Sequence, residues 1–260
     1  MIPSAAILTA HGAHSLSPET SSRLSPAFAF SGFLRNYFYF SVSLLILAVI
    51  LYGFSHTVSR NFIHPDPPRP LLLYFHGFVF FGWVLFFIFQ SALIRTRRVR
   101  LHRSLGWFGV ALGCLIPPLG ISIAIVMERF HVHVLHDTNN ITEMFIPLWD
   151  MVCFTVAFAL AILWRKKPEF HRRLILIATC ALTAAAWGRV PEQFLNPTYF
   201  YSGVDLLILC GVARDLIVNR RIHTVYLYAL PAFILGQIGV MHIYLHQPAF
   251  WMHIVRAIVG

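Results

Sequence analysis

One pattern occurs twice between Leu71 and Leu182: an apolar span, a turn rich in Arg and Lys, the dipeptide His-Arg, then a second apolar span. The first copy runs from Leu71 to Ile94, turns through Arg95, Arg97, Arg98 and Arg100, and re-enters as His102-Arg103-Ser104-Leu105-Gly106. The second runs from Thr142 to Trp164, turns through Arg165, Lys166 and Lys167, and re-enters as His171-Arg172-Arg173-Leu174. Apolar stretches of about 20 residues match the hydrocarbon thickness when helical, and a helix satisfies every backbone donor within itself. Each copy therefore reads as a transmembrane hairpin with a basic tip.

Composition agrees. Of 260 residues, 58% are apolar and 12% charged, whereas a soluble domain carries charge on about a quarter of its residues. The fold class predicted is all-α, a polytopic membrane protein with seven transmembrane helices and a four-helix core formed by helices two to five. The net charge of +10 sits in short clusters between spans rather than along one face, so the bilayer is the expected partner and nucleic acid is not. Cys114, Cys153, Cys180 and Cys210 lie inside spans with no metal-type spacing and read as packing residues.

Residues 1–36 read as a loose N-terminal tail, 37–245 as the seven-helix membrane domain and 246–260 as an interfacial C-terminal tail. The predicted spans are Tyr37 to Gly53, Leu71 to Ile94, Leu105 to Met127, Ile141 to Trp164, Leu174 to Phe194, Tyr201 to Val218 and Val225 to Leu245. A Pro-rich turn, His64 to Pro70, follows the first, and Pro117-Pro118 predicts a kink in the third. The N-terminal tail and the turns after spans two, four and six hold most of the 20 Lys and Arg. By the positive-inside rule the N-terminus is cytoplasmic and the C-terminus outside, in a bacterial cytoplasmic membrane. A retinal protein is excluded, because the only lysines, Lys166 and Lys167, lie in a turn. Tyr199, Phe200, Tyr201, Phe250 and Trp251 fall where an outer aromatic belt belongs.

Ionisable residues inside a span are functional candidates by default. Here they are His76, Asp150, Arg189, Asp205 and His242, with Glu128, Glu143 and Glu192 at the outer edge. Asp150 and Arg189, at similar depth in adjacent spans, read either as an ion pair or as the border of a site for an anionic or carbonyl-bearing substrate. Four successive helices offer a histidine at alternating ends: His76, His102, His136 and His171. In an up-down bundle this yields one outer and one inner pair, and two facing imidazoles are what a six-coordinate haem iron requires. Gly106, Gly109 and Gly113 lie close to one face of the third span, suited to tight helix packing or to a flat macrocycle.

From Leu71 to about Leu195 the chain resembles the ascorbate-reducible transmembrane di-haem b-type cytochromes, in the stretch His76-Gly77-Phe78 through Ile94-Arg95 and in the helix start His102-Arg103-Ser104-Leu105-Gly106. The doubled His-Arg signature is similar to that of uncharacterised bacterial multi-spanning proteins sharing this core. The resemblance implies one or two haem b groups, with His102 and His171 ligating an inner one near Arg98, Arg103 and Arg172, and His76 and His136 ligating an outer one. It implies a transmembrane oxidoreductase passing electrons to or from a quinone or small reductant beside Asp150 and Arg189, with a membrane-protein partner or a homodimer as its assembly.

Two rival readings stay open. His131, His133 and His136 with Asp137, joined by His76, His242 and His246, have the ligand types of a zinc, copper or iron site, with Glu128 or Glu143 as general base in a metal-dependent hydrolase or oxidase. His242 and His246, four apart, share one helix face. The third reading is a cofactor-free accessory subunit whose helix-start histidines anchor at lipid headgroups.

Overall fold

The computed structural model describes residues 26–137 and 143–260, all helix and connection with no strand among them. The principal helices are α1 (Pro26–Ser55), α2 (Leu71–Arg95), α3 (Val99–His133), α4 (Phe145–Leu163), α5 (Pro168–Ala181), the short α6 (Ala184–Trp187), α7 (Tyr201–Asn219), α8 (Thr224–His246) and α9 (Ala249–Val259). Five stretches are long and apolar enough to cross a bilayer: Phe30–Ser55, Leu71–Arg95, Val99–His133, Phe145–Leu163 and Thr224–His246. Their outward faces are apolar: Phe78 is 78% exposed, Trp107 68% and Leu235 70%, a pattern that only lipid makes inexpensive.

Several sequence expectations change. The chain is already helical at Pro26, well before the predicted end of the loose tail at residue 36; residues 1–25, and the predicted start of the fourth span at Ile141, lie outside the described residues. Pro117 and Pro118, where the kink is expected, lie inside α3, whose helical assignment runs from Val99 to His133. The predicted fifth span divides instead. The Thr183 hydroxyl donates to the Cys180 carbonyl at 2.6 Å, a side-chain bond that competes with the helix ladder, and α5 ends at Ala181 before α6 resumes. Of the predicted aromatic belt, Tyr199 and Phe250 are exposed, but Phe200, Tyr201 and Trp251 are turned inward.

Consecutive helices pack as neighbours: α1 on α2, α2 on α3, α3 on α4 and α4 on α5. Trp83 of α2 donates its indole N–H to Thr179 of α5 at 3.3 Å, and Phe154 and Phe158 of α4 meet the Trp83 ring edge-on. This aromatic group is buried where α2, α4 and α5 meet. Phe158 also lies on Gly113, Phe86 on Gly109 and Met151 on Gly120, so three of the four α3 glycines serve helix packing. Helix α1 covers α6 and α7, α8 packs on α4, and α9 lies across the end of α3. There Arg129 donates to the Ile258 carbonyl at 2.6 Å and His133 bonds the Val259 carbonyl at 3.2 Å, satisfying free carbonyls at a helix C-terminus.

Candidate functional site: two histidines at the basic end

Both basic turns lie at one end of the bundle, called here the basic end. His102 stands one turn into α3 and His171 one turn into α5, and their rings meet there with centroids 6.4 Å apart and planes at 76°. Each ring lies against the closing turns of the helix before it in its own hairpin. His171 Nδ1 is 2.9 Å from the Ala161 carbonyl of α4. The His102 ring lies beside the backbone of Gln90 on α2, and its Nδ1 is buried without a hydrogen-bond partner. Gln90 is itself 9% exposed, and neither atom of its amide has a partner. The repeated sequence pattern thus becomes a repeated local geometry.

Two imidazoles at this separation have the donor type and spacing that one iron would require. Two metal–nitrogen bonds of about 2 Å, with about 1 Å from each nitrogen to its ring centre, separate bis-imidazole centroids by about 6 Å. The Ala161 carbonyl claims Nδ1–H of His171, fixing the tautomer that leaves Nε2 as a donor. One turn beyond His102, a Cβ at Gly106 would meet nothing within 4 Å. Arg103 is exposed, while Arg172 is half-buried, pairs with Glu169 at 2.5 Å and lies over the Tyr39 ring.

The other predicted site residues are dispersed. His76 is half-buried against Phe80 of its own helix, with centroids 4.1 Å apart. His136 is exposed beyond the end of α3 with a left-handed φ of 53°, and no ring contact joins the two. His131 lies against Phe130, and His133 is occupied by Val259. His242 and His246 do share a face of α8, where they stack on one another at 4.2 Å, exposed. Among the described residues no group of three or more His, Cys, Asp or Glu is gathered as a metal would need.

Asp150 and Arg189 do not pair. Asp150 is buried and accepts a hydrogen bond from the Tyr201 hydroxyl at 3.1 Å; Arg189 reaches the Ala185 carbonyl and lies 4.5 Å over the Phe54 ring. Asp205 accepts from Gln237 at 3.1 Å. Between helices, burial pushes the Glu143 carboxyl above the usual carboxylate range, Asp137 adding to the rise and Arg189 opposing it.

The dominant buried charges are Arg173, which the sequence presents only as part of a basic turn, and Asp215, which it does not single out. Arg173 of α5 grips Asp215 of α7 through Nε at 2.8 Å and a terminal nitrogen at 2.6 Å. Its other nitrogen holds the Glu169 carboxylate at 2.7 Å, and Arg214 and Asn219 each donate to Asp215 at 3.0 Å. Spans of this kind signal themselves only weakly, through an Asp directly after an Arg inside an apolar run at Arg214-Asp215.

Comparison with protein-family models, with curated proteins and with solved structures finds no match.

Proposed function

We propose that this chain is an integral membrane b-type haem protein that passes single electrons, with one haem held at the basic end between His102 and His171. The observation that carries the reading is the 6.4 Å approach of those two rings, with His171 oriented by the Ala161 carbonyl. Haem, when bound, supplies a one-electron couple whose potential follows from its axial ligands and surroundings. The chain's own contribution is positional. His102 and His171 come from helices anchored in separate hairpins, so each ligand is held by its own rigid support. Arg103 and Arg172, next in sequence to the ligands, with Arg98, offer positive charge suited to porphyrin carboxylates. Trp83, Phe154 and Phe158 keep water from the bundle centre. Because His76 and His136 form no corresponding couple, the reading carries one haem rather than two. A quinone or small reductant at the membrane boundary is the partner class it calls for.

The same reading takes the membrane domain as seven crossings, with α2 to α5 as the core. Together α5 and α6 cover residues 168–187, and α7 has 19 residues; at 1.5 Å per residue each extends about 30 Å, a bilayer's hydrocarbon thickness. The charges that lower their hydropathy are paired with one another, which reduces the cost of carrying them in lipid.

The test is the reduced-minus-oxidised spectrum of the purified chain, expressed with haem supply, together with a pyridine haemochrome assay. A b-type α band at one haem per chain is expected. His171→Ala and His102→Ala should lose it while eluting as monodisperse protein, and His76→Ala and His136→Ala should keep it. Haem-free wild-type protein, or full haem in His171→Ala, would leave the histidine contact as ordinary edge-on ring packing and end the proposal.

A further inference from the structure

At the basic end a cleft of about 390 Å³ opens between α1 and the last turn of α2, lined by Arg35, Asn36, Ile94, Arg95 and Arg97. Three of its five lining residues are arginines and none is acidic. Among the described residues none of the three forms an ion pair. Arg95 is fixed in place: its guanidinium lies 3.8 Å over the Tyr37 ring, a terminal nitrogen donates to the Tyr37 hydroxyl, and Nε is buried without an acceptor. Cationic donors without acceptors in a polar cleft are matched to an anion with several oxygens, and a phosphate has that form.

The surroundings select a lipid phosphate over a free one. Ile94 is 48% exposed beside the cleft. On α1, Phe30, Phe33 and Tyr37 follow one another along one face at helical spacing; Phe30 and Phe33 are 53% and 48% exposed, and Phe33 stacks on Tyr37 at 5.3 Å. An arginine set at the level where two apolar helices begin and end, flanked by exposed apolar side chains, suits a charged headgroup with its chains alongside. We propose that this cleft binds the phosphate of an anionic glycerophospholipid, with its acyl chains running from the cleft past Ile94 toward the bilayer interior and Phe30 and Phe33 at the headgroup level. The site is separate from the histidine couple and does not depend on it.

Native mass spectrometry of the full chain, loaded from micelles containing phosphatidylglycerol and phosphatidylcholine, tests this. The wild type should retain phosphatidylglycerol in preference to phosphatidylcholine, and inorganic phosphate should not displace it. Arg35→Gln with Arg97→Gly should lower phosphatidylglycerol retention roughly thirtyfold, since each surface basic residue contributes about 1 kcal/mol to anionic-lipid binding. Arg97→Gly suits the left-handed φ of 60° at that position, so it serves alone if the double variant does not purify, with roughly a fivefold loss expected. Arg165→Gln with Lys166→Gln, in the other basic turn, should retain the lipid as the wild type does. The proposal is overturned by wild-type retention in either cleft variant, by equal retention of the two lipids, by displacement with inorganic phosphate, or by an equal loss in the second-turn control.

Discussion

Arg173 and Asp215 are both 0% exposed and joined by two parallel charge-assisted hydrogen bonds. Taking either partner away leaves its mate uncompensated in a low-dielectric interior, which costs about 3–5 kcal/mol. Asp215→Ala is therefore expected to lower the unfolding free energy by about that much, measured by SDS titration of the full chain in mixed micelles. Arg172→Ala, which removes an ion pair whose partners are 33% and 54% exposed, should cost about 0–1 kcal/mol. Equal losses from the two would show that Asp215 is not buried among the arginines. The contrast also explains what was legible beforehand. His102 and His171 stood out because a doubled local pattern places them at equivalent points of two hairpins. Arg173 and Asp215 are 42 positions apart in the chain, and an arginine at a span's edge looks like any topology signal until its partner is known. The similar depth of Asp150 and Arg189 admits an ion pair or a substrate border, and depth does not fix azimuth: Asp150 turns to Tyr201, Arg189 to Phe54.

Between α1 and α6 the backbones approach at Gly53, where an added Cβ would fall on the main chain of Ala186. Backbone cannot rotate aside as a side chain can, so Gly53→Ala must separate the two helices. Gly82→Ala, on α2, meets nothing within 4 Å and should gain about 0.5–1 kcal/mol of helix propensity. Opposite shifts in thermal unfolding are expected from the same substitution, followed by size-exclusion of heated samples; a Gly53→Ala protein as heat-resistant as Gly82→Ala would refute the close approach. At the start of α8, His223 accepts the Val225 N–H on Nδ1 at 3.3 Å. Burial first, and then the nearby Arg173 charge, hold its pKa below the usual histidine value. A depressed folded-state value contributes stability that is present above the ordinary histidine range and is lost as pH falls, and protonating Nδ1 also removes the cap. His223→Asn keeps an acceptor at the cap and should flatten the loss of thermal stability between about pH 7 and pH 5; an unchanged acid slope would place that sensitivity elsewhere. Helix existence was readable from the apolar runs at α1, α2, α3, α4 and α8. The division of the fifth span was not, because it depends on one Thr183 hydroxyl finding the Cys180 carbonyl.

The membrane domain as a whole has two possible traversals, and they differ at a single connection. If only the five most apolar helices cross, the segment from α5 to α7 stays at the basic end, and Glu192 lies there with Lys166 and Arg221. If α5–α6 and α7 also cross, Glu192 moves to the opposite end with Asp66. Helix pairing favours the second case: α5 packs along α4 and α7 along both α1 and α8, as neighbouring crossings do. Gly53 at the far end of α1 meets Ala186 of α6 there, while Arg173 joins α5 to Asp215 of α7 at the basic end. Contacts at both ends require α5–α6 to extend the length of the bundle. With exposed Cys114 first replaced by Ala, single cysteines at Arg98, Lys166 and Arg221 should label from one side of sealed vesicles with a membrane-impermeant maleimide. Cysteines at Asp66, Glu192 and His253 should label from the other. Labelling at Glu192 together with the basic turns would reduce the crossings to five and remove α5 from the core, and with it the rigid support proposed for His171.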